Sequence, residues 1–274
     1  MIVGLFHAEW IKLRHLRITW LLPILPAVLM LIAGLRIVSA MVETSQTYNL
    51  TLDADVLHSF AFPQPVLNGL QFASVLGTLL VALFMTAIVG NEFGHDTWKT
   101  ILTRRAQRGR FLLVKLSYAL IEITVMLILV PLVFQAIILL TLQVTTHLTL
   151  PVDFSRSNWE AVRLTFLVTW LRLAIAAIIG LLSAVIARSS ASGIALALPW
   201  LLGDFLVNTL SVNGGTWRDL VSYTFNYNLA AFEAYLRDGH AEVSAAHCLV
   251  MLLFYTIGLL LLAIVIFRQR DIAG

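Results

Sequence analysis

The sequence predicts an all-α, polytopic membrane protein: an N-terminal amphipathic interfacial helix, then six transmembrane helices, with both termini cytoplasmic. Three observations carry this. The 274 residues are 59% hydrophobic and only 12% charged, about half the roughly 25% charge of a soluble domain. Several apolar runs approach the ~20 residues that cross a hydrocarbon core as a helix. The ~10-residue alternating segments of a transmembrane β-barrel do not appear. The positive excess, with a pI near 9.2, gathers beside apolar runs, where it sets topology. It is no sign of nucleic-acid binding.

Residues 1–17 form the amphipathic element. Val3, Phe6, Trp10 and Leu13 recur at helical spacing, with His7, Lys12, Arg14 and His15 on the other side, as in a helix lying in the headgroup plane. Glu9 breaks the pattern by projecting toward the apolar face. The first run begins too late for a signal peptide and has no A-x-A-like cleavage site.

Six spans follow. The first covers about 18–40 and includes Pro23 and Pro26, which membrane helices accept when neighbours satisfy the freed carbonyls. The second covers about 70–91. The third, about 111–142, is too long for an untilted span, with a kink expected at Pro131. The fourth and fifth cover about 161–187 and 191–210, a count that would change if Pro199 broke a helix. The sixth covers about 245–267.

Lysine and arginine bias sets the orientation. With both termini inside, the inner segments hold twelve of the eighteen Lys/Arg residues and the outer segments only three: Arg156, Arg218 and Arg237. Residues 41–69 have neither, but contain Glu43, Asp53 and Asp55. The outer segment 211–243 is rich in aromatic residues, from Trp217 to Phe232, and reads as short helices at the outer interface. The whole chain, 1–274, reads as one transmembrane domain. Asn49-Leu50-Thr51 matches a glycosylation tripeptide, a pattern that arises often by chance.

Known catalytic motifs are missing. There is no G-x-x-x-x-G-K-[ST] phosphate loop, H-E-x-x-H pair or G-x-S-x-G elbow. No catalytic, cofactor or metal residue is assigned. Cys248, the single cysteine, sits in an apolar run and reads as a small buried hydrophobe.

Residues 92–115 hold six of the Lys/Arg residues between two spans. Gly94 can end span two, and Asp96 can cap a short helix from Thr97 to about Arg104. Trp98, Ile101, Leu102 and Arg105 then share a face, with Lys99, Thr103 and Arg104 away from it. An apolar face flanked by cations suits a groove on an acidic partner. The same charge also satisfies an ordinary inner loop.

An acidic residue ending span two, then glycine, threonine, a short helix, a basic cluster and a lysine early in the next span resembles the type-2 ABC transporter permeases. Here these are Glu92, Gly94, Thr97, Arg104/Arg105, Arg108/Arg110 and Lys115. The start, Ala8-Glu9-Trp10-Ile11-Lys12-Leu13, is similar as well, and makes Glu9 a shared feature. Ala106 departs from the pattern, where many members have proline, as does His95-Asp96 before Thr97.

The resemblance implies a permease subunit of an ATP-driven exporter, itself no enzyme, in a bacterial or archaeal cell membrane. It implies a second permease chain, as homodimer or heterodimer, and separate ABC-type ATPase subunits that carry the ATP and magnesium. Segment 92–110 would couple to the ATPase, with Glu9, Lys12, Glu92, Gly94, Thr97, Trp98, Ile101, Leu102, Arg104, Arg105, Arg108 and Lys115 as coupling residues. Exported substrates in the family include drugs, antimicrobial peptides and lipids, and an amphiphile suits a chain with no large outer domain.

Charges within the spans mark a pathway or a pair. Arg36, Glu122, Arg172 and Asp204 are the candidates, whereas Arg163 can snorkel. Arg36 and Asp204 lie at similar depth and suit an ion pair. Arg172 and Glu122 differ by roughly 9 Å at 1.5 Å per residue, a looser match. Two rival functions remain: an ion-gradient-driven secondary transporter, which would need such groups near the midplane, and an intramembrane enzyme.

Overall fold

The computed structural model describes residues 6–7, 10–13, 15, 17–48, 61–94, 108–146, 155–211, 220–241 and 243–269. Among these there is no strand. Six helices are long and apolar enough to cross a membrane, as the sequence predicts. They are α1 (Arg17–Tyr48), α2 (Gln64–Gly94), α3 (Arg108–Thr146), α4 (Arg156–Ala187) and α5 (Ser190–Ser211), with α7 (Ala245–Gln269) the last span. Between α5 and α7 lies the shorter α6 (Phe225–Asp238).

Several helices outrun their apolar stretches. α1 continues through Glu43 to Tyr48 and α2 starts at Gln64, so helix replaces parts of the expected 41–69 connection. Apolarity marks where a helix can contact lipid, but only a breaker or a cap ends it, and no Gly or Pro lies between Ala40 and Tyr48. Pro23, Pro26, Pro131 and Pro199 all sit inside continuous helices. Pro199 therefore does not change the span count. Gly94 is the last residue of α2. Residues 95–107, with the expected short helix and Thr97, Trp98, Ile101, Leu102, Arg104 and Arg105, lie outside the described residues, and so does Glu9.

The chain divides into two compact units, one of residues 1–19, 78–122 and 171–274 and the other of residues 20–77 and 123–170. In the second unit, Gly34 of α1 packs on the Phe134 ring of α3, and Gly69 of α2 lies against the backbone of Pro131. The Trp170 indole N–H of α4 donates to Thr124 Oγ1 of α3 at 3.1 Å. Phe62 and Trp159 meet with ring centroids 5.2 Å apart.

The core of the first unit is the second half of α2 against α4 and the start of α5. Small residues let these backbones approach, the usual route to tight helix packing in a membrane. A Cβ on Gly180 of α4 would fall 2.4 Å from the Ala82 carbonyl oxygen of α2. One turn on, Thr86 Oγ1 lies 2.7 Å from the Ala82 carbonyl and 3.2 Å from the Gly180 carbonyl. A Cβ on Gly90 would fall 2.5 Å from Ser190 at the head of α5. Arg188, with φ 55°, makes the tight turn from α4 to α5, and Ser189 Oγ accepts the Ser192 N–H at 3.3 Å.

Candidate functional site

The end of α2, the start of α3 and the N-terminal residues form one charged cluster within the first unit. Glu92 Oε1 accepts from Lys115 Nζ of α3 at 2.8 Å and also from Lys12 Nζ. Lys115 is fully buried, with 0% of its side chain exposed, and Glu92 shows 7%. Lys12 is 41% exposed. The sequence pattern names all three as coupling residues, and the fold brings them onto one carboxylate oxygen. Glu92 Oε2 is also buried and has no hydrogen-bond partner among the described residues.

Local structure explains how an ammonium is buried here. Lys115 Nζ also lies 4.9 Å from the Phe111 ring centroid, one turn back, where the ring face favours a cation. Residues 10–13 are helical, and Leu13 is buried while Ile11 and Lys12 face outward. Trp10 stacks on Phe6 and meets Tyr118 of α3 edge-on at 5.3 Å. Thr19 Oγ1 donates to the Leu13 carbonyl at 2.7 Å, closing the step from this segment into α1. The expected apolar face of Phe6, Trp10 and Leu13 is thus the face turned to the protein.

The same corner receives the end of α7. Phe93 and Phe267 meet edge-on with centroids 6.2 Å apart. A side chain at Gly109 would touch the Arg268 guanidinium at 3.1 Å. The last turn of α2 and the first turns of α3 flank residues 95–107, and both are held by charge and by aromatic contact.

Three of the in-span charges, Glu122, Arg172 and Asp204, belong to the first unit. Glu122 takes the Tyr118 hydroxyl, one turn back on α3. Arg172 of α4 lies within electrostatic reach of Glu233 on α6 and Asp204 on α5. Asp204 is engaged at the start of α6. Its Oδ1 accepts the Phe225 backbone N–H at 2.9 Å and its Oδ2 the Asn226 side-chain amide. Depth arithmetic ranks residues along the membrane normal but carries no azimuth, so it cannot choose between helices. Arg36 is exposed in the second unit.

Sequence reading missed the partners of this second cluster: Asn208, Thr224, Asn226, Asn228, Glu233 and Tyr255. Asn228 is fully buried and donates to the carbonyls of Ser222 and Thr224, each at 2.7 Å. Tyr255 sits in a π-helical turn of α7, Phe254–Gly258, and its hydroxyl donates to the Tyr223 carbonyl at 2.9 Å. The one legible signal was Thr224-Phe225-Asn226-Tyr227-Asn228, unusually polar for an aromatic segment between spans. No group of three or more metal-type side chains occurs among the described residues.

A comparison with protein families matches residues 5–203 to one described as ABC-2 family transporter protein. The match covers α1 to α4, most of α5 and both lysines of the Glu92 cluster. A comparison with curated proteins finds no match.

Proposed function

The chain belongs to the ABC-2 family of transporter proteins, and from that premise we propose that it is the membrane-spanning permease subunit of an ATP-driven exporter. It works with a second permease chain and with separate ATPase subunits in the cell membrane, both of its termini on the ATPase side. The cargo is an amphiphile that partitions into the bilayer.

The observation that carries this reading is the Glu92 cluster. A segment that relays force from a soluble motor must be rigid where it joins the spans. Here Glu92 ties α2 to α3 and to the N-terminal segment through Lys115 and Lys12, at the two ends of residues 95–107. Lys12, Glu92 and Lys115 are then the frame of the coupling element, and Trp98, Ile101, Leu102, Arg104, Arg105 and Arg108 its contact surface. The positive-inside count supports a cytoplasmic position for this corner.

A tagged chain extracted in mild detergent is expected to co-purify with an ATP-hydrolysing subunit. Arg104→Glu/Arg105→Glu is expected to lower that recovery by roughly tenfold or more, the scale of reversing charges at a steered interface. Undiminished assembly and ATP-dependent transport in the reversal variant would sink the docking role.

A further inference from the structure

α6 starts without a cap of its own. The Thr224 side chain makes no capping bond; its hydroxyl instead donates to the Val221 carbonyl at 2.8 Å and accepts from Asn208 at 3.0 Å. The missing acceptor comes from another helix. Asp204 of α5 reaches the Phe225 N–H with Oδ1 and the Asn226 amide with Oδ2, and its charge meets the positive end of α6. Asn208, one turn further along α5, donates to the Asp204 carbonyl at 2.8 Å. The turn that precedes α6 is bound from α7 as well, through His247 Nε2 and the Ser222 carbonyl at 2.9 Å and through Tyr255.

Burial follows the same plan. Phe225, Asn228 and Leu229 in the first turns are buried, while Tyr235, Leu236 and Arg237 near the other end are exposed. Gly239 ends the helix at φ 74°, its N–H on the Tyr235 carbonyl, and a Cβ there would meet nothing within 4 Å. α6 is therefore held most firmly through its first turn, where the cap is a carboxylate on a membrane span.

We propose that Asp204 is a positioning residue for transport: by capping α6 from α5 it holds α6 over the end of α5 and α7, so that movement of the span is passed to the outer helix. The transport role rests on the exporter reading above; the placement of α6 does not.

Asn226→Asp separates this from ordinary helix propensity. An aspartate in the first turn of an isolated helix is favourable, so intrinsic effects predict a firmer α6. Against Asp204 it sets carboxylate on carboxylate and loses the bond. Adding Asp204→Asn restores a complementary pair, because asparagine can still accept the Phe225 N–H while its amide donates to the introduced carboxylate.

The full chain with its ATPase, in lipid vesicles, would be followed by hydrogen exchange at residues 225–229 and by ATP-driven movement of the cationic dye rhodamine 6G. Asn226→Asp is expected to speed exchange and slow dye movement by roughly tenfold each, the scale of one charge-assisted hydrogen bond, and the double variant to recover both. Unchanged exchange in Asn226→Asp, or no recovery in the double variant, overturns the placement of α6 by Asp204. Changed exchange with undiminished dye movement overturns the transport role alone. Wild-type vesicles that move no dye overturn the exporter reading, whatever α6 does.

Discussion

Glu92→Leu is expected to destabilise the chain by about 3–5 kcal/mol, the scale of removing one partner from a buried ion pair. Leucine takes away the carboxylate against which Lys115, with no exposed side-chain surface, is buried. It also removes the partner of Lys12. Lys12→Ala should behave differently. Lys12 is 41% exposed, and an exposed ion pair contributes only about 0–1 kcal/mol. The ordering is the test: thermal unfolding in detergent should rank Glu92→Leu far below Lys12→Ala, and the latter near wild type. Equal effects would mean that the cluster is held by something other than the buried Glu92–Lys115 pair. ATPase recovery should follow the same order, because the frame of residues 95–107 depends on it.

Gly180→Ala carries the second large effect. Its new Cβ would lie 2.4 Å from the Ala82 carbonyl oxygen, and backbone cannot rotate away as a flexible side chain does. α2 and α4 must part, disturbing the contact that Thr86 makes to both. Overpacking of this kind costs about 1–3 kcal/mol and occasionally more. Gly203→Ala on α5 is the matched control. Nothing lies within 4 Å of its Cβ position, and exchanging a helical glycine for alanine favours the helix by up to about 1 kcal/mol. Folded yield and melting temperature should therefore fall for Gly180→Ala and hold or rise for Gly203→Ala. A neutral Gly180→Ala would contradict the close α2–α4 approach.

Much of the fold is legible in the residues because bilayer thickness and helix rise are fixed quantities. The six apolar runs become six helices; the Phe6/Trp10/Leu13 stripe is legible as one face, but that it packs on α3 through Trp10 and Tyr118 is not. Helix ends were less legible, as α1 shows by running on through polar residues to Tyr48. At the candidate site, the pattern of Lys12, Glu92 and Lys115 could be read as a set. That two lysines share one oxygen could not, since residues 80 positions apart are joined only by packing. Asp204 teaches the same lesson more sharply. A lone carboxylate in an apolar run invites a search for an arginine, yet its main-chain partner is the N–H of Phe225, 21 residues on. Backbone donors have no signature in a sequence. The π turn around Tyr255 is illegible for a related reason: it is a choice of hydrogen-bond register made by tertiary contact.

The central claim is that transport is powered through a separate ATPase. The direct measurement is rhodamine 6G movement in vesicles holding the chain alone, the ATPase alone, or both, with ATP supplied in every case and an ion gradient imposed or collapsed. The account predicts movement only when both proteins and ATP are present, unaffected by collapsing the gradient. Movement by the chain alone, driven by the gradient and indifferent to ATP, would contradict it and make the protein a secondary transporter.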